Sequence, residues 1–262
     1  MLLFCFSLFL NGAIDSDAVF DKAHNAGFFY RRVSFTEVDT CEGHELCFEA
    51  NGVSYSLKRK DKVEISSDIK DGKLKINIVP DNAYISYYLY IEHRTGVHRI
   101  QMTKRNIVID KGVANIIRIQ VVGEGAKGPV ILYTRQFKEP ETKIGYVKNF
   151  DESLKRLRQR YSRPLLKKDV SLKKSAEKAL KRLQKEGLVH YSSKSGGLRH
   201  TGIRKSVIGE NLFHAGTIEK GWEMMIKSPS HLYNLINPSY ASYYIIAVKD
   251  KDFFSGAIVF SN

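Results

Sequence analysis

At 262 residues, with 43% hydrophobic and 27% charged side chains, the chain has the composition of an ordinary soluble globular protein, not of a fibrous or disordered one. Its length favours two domains, each able to bury a core of its own. The formal charge of +14 works against cationic partners, and it is uneven: residues 143 to 205 carry 19 Lys and Arg against 5 Asp and Glu. A segment of that kind favours anionic partners such as acidic lipid head groups, anionic cell-wall polymers or nucleic acid. The plainer reading is solvated helix faces, because Lys173, Lys174, Lys178, Lys181, Arg182 and Lys185 fall between apolar helical positions.

In chain order, the apolar and uncharged run Met1 to Leu10 comes first. It is about half the ~20 residues needed to cross a bilayer. It reads as the core of a signal peptide over residues 1–18, with Ser16 and Ala18 as the small residues of a cleavage site and Ala13 as the alternative, although a basic start is missing. A buried N-terminal strand or helix is the other reading. Export would make the protein secreted, periplasmic or attached to the cell surface, with no transmembrane helix once the signal is removed. It would also remove Cys5 and leave Cys41 and Cys47, an even number, so a Cys41–Cys47 disulfide is expected. Closing so short a loop would contribute about 2 kcal/mol. His44 between the two cysteines could instead begin a zinc site, but no second Cys or His pair lies nearby to complete four ligands.

From about residue 26 to 138 apolar residues alternate in short runs rich in Val, Ile, Tyr, Phe and Thr. The expected strands are Phe28 to Val38, Val53 to Lys58, Lys62 to Ser66, Lys73 to Val79, Tyr84 to His93, His98 to Ile109, Ala114 to Val122 and Val130 to Phe137. Asn51-Gly52, Lys70-Asp71-Gly72, Pro80-Asp81-Asn82 and Asp110-Lys111-Gly112 supply the turns. Such a pattern predicts an antiparallel β-sandwich of immunoglobulin-like type over residues 20–140, with a barrel as the alternative. Tyr87, Tyr88 and Tyr90 read as sheet packing. Gly123 to Gly128 lacks the spacing of a phosphate-binding loop.

The alternation stops at Lys138 to Lys143, where a polar stretch containing Pro140 marks a domain boundary. Phe150, Leu154 and Leu157 then recur at helical spacing, with Asp151 and Glu152 near the positive end of the helix dipole. After a turn through Ser162-Arg163-Pro164, a second helix is expected to start past Asp169 or Ser171, with Leu172, Ala176, Ala179, Leu180 and Leu183 on one face and Gly187 at its end. Tyr240 to Val248 and Phe253 to Phe260 form a closing hairpin, so this second domain reads as α+β with helices first and hairpin last.

Several motifs stand out in order: Pro164-Leu165 and Asp169 to Leu172 leading into the helix of Ala176 and Ala179, then His190-Tyr-Ser-Ser. Gly209-Glu210-Asn211-Leu212, Trp222 and Ser228-Pro229-Ser230-His231 running into Asn234-Leu-Ile-Asn237 follow. Together, residues 148–262 resemble the CAP superfamily (cysteine-rich secretory, antigen 5 and pathogenesis-related proteins), in its short bacterial SCP-like form. The resemblance implies an α-β-α sandwich in which His190, Glu210 and His231 converge on a cleft. Two neutral imidazoles suit a borderline metal such as zinc, with a carboxylate orienting a ring or a metal-held water. Many members carry a second cleft glutamate three residues after the tryptophan, where this chain has Met225. Glu219 and Glu223 lie three residues before and one after Trp222, on different helix faces, so neither replaces it. The insertion Glu223 to Lys227 also lengthens the stretch between the tryptophan and the Ser-Pro-Ser-His motif.

Each residue has a plainer role as well. Glu210 could bond backbone amides where the chain enters a loop, and Asn211 could close a turn on its own backbone. His190 could cap a helix end, and His231 could sit in the first turn of a short helix entered through Pro229. Trp222 reads as core, and His200 and His214 as surface or loop residues. Ser192, Ser193 and Ser230 lie beside imidazoles, but no nucleophile elbow and no orienting Asp accompany them. The expected function is therefore a binding module whose His/Glu cleft and basic flank take an anionic or amphipathic envelope ligand, a lipid or cell-wall polymer. It requires no cofactor, and an export signal disfavours nucleic acid. The alternative is a zinc-dependent hydrolase with His190 and His231 as ligands and Glu210 as base.

Overall fold

The computed structural model describes residues 36–37, 46–50, 53–57, 63–80, 84–125, 128–138, 145–147, 149–186, 208–250 and 253–262. The signal segment, Cys41 and His190 lie outside these residues, as do His200, Ser192 and Ser193. The fold is mixed α+β with several antiparallel sheets.

Strands β1 (Thr36–Glu37), β2 (Leu46–Ala50) and β3 (Val53–Leu57) form a small antiparallel sheet in that order. Cys47 lies within β2, opposite Ser56, and its expected partner Cys41 falls outside the described residues. Next, β4 (Glu64–Lys70), β5 (Lys73–Val79) and β8 (Asn106–Ile109) form one sheet. A second contains β10 (Gly128–Gln136), β9 (Ile116–Gly125), β6 (Tyr84–His93) and β7 (Gly96–Met102), in the order β10-β9-β6-β7. Alternation explains how these two sheets pack. Leu74, Ile76 and Ile78 of β5 are buried between exposed neighbours, and they share a core with Tyr87, Leu89, Ile91, Ile119 and Val121 of the other sheet. At the β4–β5 hairpin Asp71 and Gly72 both take positive φ, 53° and 68°, as the expected two-residue turn requires.

One expected strand divides. His98 to Ile109 is two strands in different sheets, because the chain leaves β7 after Met102 and the Arg105 carbonyl turns to accept from the Ile78 N–H at 2.8 Å before β8 begins. Ala114 also precedes its strand, in a short 3-10 turn over Val113–Asn115.

In the second half, α1 (Phe150–Arg160) starts at Asn149, whose side chain accepts from the Glu152 N–H, and Asp151 and Glu152 occupy its first turn as expected. β11 (Lys167–Lys168) and a 3-10 turn (Val170–Leu172) capped by Asp169 lead into α2 (Lys173–Glu186). Then come β12 (Ile208–Ala215), α3 (Ile218–Lys227), α4 (Pro229–Ile236) and the hairpin β13 (Ser242–Asp250) with β14 (Phe253–Ser261). The sheet order is β11-β13-β14-β12. The strands β11 and β12 therefore interrupt the expected helices-then-hairpin order, and β12 occupies a sheet edge.

This sheet carries helices on both faces. Leu172, Ala176, Ala179, Leu180 and Leu183, the face expected of α2, meet Leu212, Ala257 and Val259. The opposite face brings Phe213, Ile258 and Phe260 against Phe150, Leu154, Trp222, Met225, Leu232 and Leu235. Phe213 lies so tightly over the backbones of Gly221 and Gly256 that a Cβ at either would collide with its ring. Glu223 to Lys227, the insertion ahead of the Ser-Pro-Ser-His motif, simply continue α3.

The halves also meet. Val97 of β7 belongs to the core around Trp222, and Tyr90 of β6 packs edge-on against Tyr233 of α4, with ring centroids 5.6 Å apart. Burial there pushes the Tyr90 phenol up to about 12.

Candidate functional site

Glu210 and Asn211 sit inside β12, paired with Val259 and Ile258 of β14, so neither enters a loop nor closes a turn. Successive strand residues point to opposite faces, which separates the two side chains. The Glu210 carboxylate accepts from Arg182 of α2 at 2.6 Å, with the two side chains only 8% and 4% exposed. Arg182 is thus not part of the solvated basic face, although Lys173, Lys174, Lys178, Lys181 and Lys185 are exposed as expected. The reason is angular: Ser175 and Arg182, two turns apart, border the apolar stripe of α2 and are both buried.

Asn211, fully buried, works on the other face. Its Nδ2 donates to the His231 carbonyl at 3.0 Å, and its Oδ1 accepts from Asn234 Nδ2 at 2.8 Å. Asn234 Nδ2 also reaches the Glu210 carbonyl at 3.2 Å. The asparagine pair therefore staples α4 to the edge strand, a structural role for Asn211 with a different partner from the one expected. Gly209 completes the motif because the Tyr240 ring, stacked on Phe260 at 5.3 Å, occupies the space that a Cβ there would need.

Trp222 is core, 1% exposed and edge-on to Phe150 at 5.1 Å. Met225 is also 1% exposed and packs in that same core, so this position offers apolar contact where the resemblance calls for an acid. Glu219 is exposed, while Glu223 is held below the usual carboxylate range by Lys227, at 2.9 Å, with Lys220 assisting. His214 is not in a loop: within β12 and half-buried, it stacks on Phe253 at 4.9 Å and its Nδ1 lies 2.9 Å from the Ser255 hydroxyl.

Pro229 occupies the first turn of α4 and His231 follows within that turn, as the plainer reading held. Ser228 stands at the N-cap position, yet its hydroxyl makes no capping bond to the helix backbone. It lies 2.8 Å from His231 Nδ1 and 3.1 Å from the side-chain nitrogen of Gln120, a residue of β9. Gln120 Oε1 accepts the Ser230 N–H at 3.0 Å and so caps α4 from the strand-rich half. Two residues earlier on the same strand face, Arg118 forms a two-pronged pair with Glu92, at 2.6 and 3.0 Å. Its guanidinium also donates to the Ile226 and Lys227 carbonyls at the negative end of α3. Burial pushes the Glu92 carboxyl up, against the pull of Arg118. Sequence reasoning missed Gln120, Arg118 and Glu92; the available signal was two polar residues alternating within the apolar run Ile116 to Val122.

A buried arginine also braces the far end of α4. Arg158 donates to the carbonyls of Pro164, Leu235 and Asn237 at 2.6, 2.8 and 3.2 Å, and burial lowers it to about 10. Near it, toward the β11 edge, a cleft of about 280 Å³ is lined by Asp151, Leu154, Lys155, Leu165, Lys168 and Tyr243. Asp151 in that cleft is already bound by Lys168 at 2.8 Å and by the Tyr243 hydroxyl at 2.9 Å.

The described residues thus join Asn211, Ser228 and His231 into one network and place Glu210 with Arg182. Among the described residues no three His, Cys, Asp or Glu side chains gather as a metal cluster, and His190 lies outside them. Nor is any helix among them long and apolar enough to cross a membrane.

The chain matches no protein-family model and no curated protein. Among solved structures it is similar to an outer surface protein from Borrelia burgdorferi, at 20% identity and a TM-score of 0.39, over 43% of this chain and 88% of that one. It is also similar to a cysteine-rich secretory protein from Staphylococcus aureus, at 11% identity and a TM-score of 0.33, over 95% of this chain and 91% of that one.

Proposed function

We propose that the chain is an exported, non-enzymatic binding module of CAP type, with an immunoglobulin-like sandwich over residues 20–140 and an α-β-α domain over 148–262. Its ligand is an anionic or amphipathic component of the cell envelope, taken by a cleft at His190, Glu210 and His231 and by the exposed lysines of α2. One observation carries the preference for binding over catalysis. The carboxylate that the hydrolase reading needs as its general base, Glu210, is held by Arg182 at 2.6 Å in a nearly water-free contact. That contact commits a Glu210 oxygen to the guanidinium and leaves little room for the water that a general base must activate. Met225 in the core supplies no second acid to take over. The ordered motif set supports the CAP assignment, and the apolar, uncharged run Met1 to Leu10 supports export.

The test uses the full chain. Co-sedimentation with vesicles of anionic and of zwitterionic lipid, and with an anionic cell-wall polymer, is expected to show retention by the anionic probes alone. Retention should fall as salt rises and when Lys173, Lys174, Lys178, Lys181 and Lys185 are replaced by Glu. Stoichiometric zinc in the purified protein, with a hydrolytic activity that His231→Ala abolishes, would overturn the reading in favour of the hydrolase.

A further inference from the structure

The cleft of about 280 Å³ between α1 and β11 lies at an edge of the second-half sheet, and its charges do not balance. Lys155, Arg158 and Lys168 face a single carboxylate, Asp151. Both Asp151 oxygens are engaged, Oδ2 by the Lys168 ammonium at 2.8 Å and Oδ1 by the Tyr243 hydroxyl at 2.9 Å. Lys155 comes no nearer than 4.0 Å to Glu152, which Arg156 holds at 3.2 Å. Arg158, fully buried behind the wall, donates only to neutral carbonyls, and no carboxylate among the described residues pairs with it. Burial and the neighbouring Arg163 both work against its charge, so an anion placed nearby would stabilise it. Leu154, Leu165 and Leu166 add an apolar wall. The volume lies just under the ~300 Å³ at which small-molecule pockets begin, which suits one residue-sized group and not a long acyl chain or a polymer. The backbone adds a third feature. Lys167 and Asp169 donate their N–H groups to the Ala241 and Tyr243 carbonyls, each at 2.9 Å. Backbone groups alternate in direction along a strand, so the N–H and C=O of Lys168 between them point out from the sheet edge, the pattern to which an added strand bonds.

We infer that this cleft and the β11 edge form a docking site for the C-terminal end of a peptide whose last residue is apolar. The terminal carboxylate meets the ammonium groups of Lys155 and Lys168, with the Arg158 charge behind them. The last side chain packs on Leu154, Leu165 and Leu166, and the backbone before it pairs with Lys168. Each of the three features is needed to choose this occupant. An inorganic anion would leave the leucines uncovered, and a simple alkyl carboxylate would leave the strand edge unpaired. The site goes beyond the proposed envelope cleft: Glu210 belongs to β12, the opposite edge of the sheet, three strand spacings or about 14 Å away.

NMR of the full chain with labelled leucine methyl groups, titrated with acetyl-glycyl-leucine at physiological salt, reads occupancy of the site. The Leu165 signals are identified by their loss in Leu165→Glu. The wild type is expected to show saturable shifts of the Leu165 methyls in the millimolar range that so small a ligand reaches. The C-terminal amide of the same peptide should bind about tenfold or more weakly, because a charge-assisted contact is lost. Acetyl-glycyl-serine should also bind about tenfold more weakly, because the apolar side chain is gone. 4-Methylpentanoate keeps the carboxylate and the side chain but has no amide, and should bind about fivefold or more weakly. Lys155 is half exposed, so Lys155→Gln should weaken peptide binding about threefold. Leu165, 51% exposed, can be changed without opening the core, and Leu165→Glu sets an acid beside the cleft and should abolish the remaining leucine shifts. The inference is overturned by a wild type that shows no saturation by about 10 mM. It is overturned as well by an amide or a 4-methylpentanoate that binds as tightly as the peptide, or by binding that survives in folded Leu165→Glu. Should Leu165→Glu not fold, the wild-type comparisons and Lys155→Gln still decide. The assay contains no lipid or cell-wall polymer and does not use the α2 lysines or Glu210, so its failure leaves the envelope reading standing, and the reverse holds too.

Discussion

Replacing Arg118 by Ala removes a buried cation that serves both halves of the protein. Glu92 and Arg118 are 1% and 5% exposed, and their pairing is two-pronged. Without Arg118, an ionised Glu92 stays buried without this counterion, and the Ile226 and Lys227 carbonyls lose a charged donor. Breaking a buried pair from one side costs about 3–5 kcal/mol, against total stabilities of roughly 5–15 kcal/mol. Urea unfolding followed by circular dichroism should therefore show a large fall in midpoint for Arg118→Ala. Combining Arg118→Ala with Glu92→Leu removes the stranded charge and should recover part of the loss, with a coupling energy of about 2 kcal/mol in the double-mutant cycle. Full recovery is not expected, because the helix-end carbonyls remain without their donor.

The pH response carries an independent sign. In Arg118→Ala the pull of the guanidinium no longer offsets the burial that raises the Glu92 carboxyl above its ordinary 4.5. A folded-state value raised above the unfolded one favours the folded protein at low pH, and that benefit is lost as pH climbs through the raised value. The variant should thus regain ground relative to wild type on acidification toward 4.5. A loss under about 1 kcal/mol for Arg118→Ala, or strict additivity in the cycle, would refute the reasoning.

Two further outcomes follow from local geometry. Gly256→Ala drives a methyl into the Phe213 ring, which Gly221 confines from the other side, so a loss of about 1–3 kcal/mol is expected in the same unfolding assay; a neutral result would mean the ring has room to move. His93 is held below its ordinary 6.5, first by burial and then by the nearby His98, so the unfolded chain takes up its proton before the folded one does as pH falls. Stability should decline on acidification from 6.5, with His93 contributing a slope of at most about 1.4 kcal/mol per pH unit, and His93→Gln should flatten the curve there.

Residues whose environment is set by their own element were legible in the sequence. The apolar stripe of α2, the first turn of α1, the Asp71-Gly72 turn and Pro229 at the start of α4 all follow from periodicity and local backbone preference. What failed was set by partners distant in the chain. The plainer reading of Glu210 put it where the chain enters a loop, but it lies inside β12, where Gly209 makes room for Tyr240 and Asn211 reaches α4. Arg182 read as solvated because it is charged and lies among lysines, yet its place at the stripe border puts it beneath β12. The break between β7 and β8 was hidden because Thr103-Lys104-Arg105 carries no Gly or Pro to mark the change of sheet.

Arg118 and Gln120 show why the site itself was only half visible. On an antiparallel sheet with one wet face, polar residues alternating with Ile and Val mean solvent. Here that outer face is covered by α4 and the end of α3, so the same alternation means contact with the second half. The two residues then divide the work by charge: the cation meets the carbonyl end of α3, and the neutral amide, able both to accept and to donate, meets the amide end of α4 and the Ser228 hydroxyl. An arginine at position 120 would have no acceptor for Ser230 N–H, and a glutamine at 118 could not neutralise Glu92. Ser228 and His231, which read as parts of a self-contained motif, are thus completed by a strand whose sequence belongs to the other half.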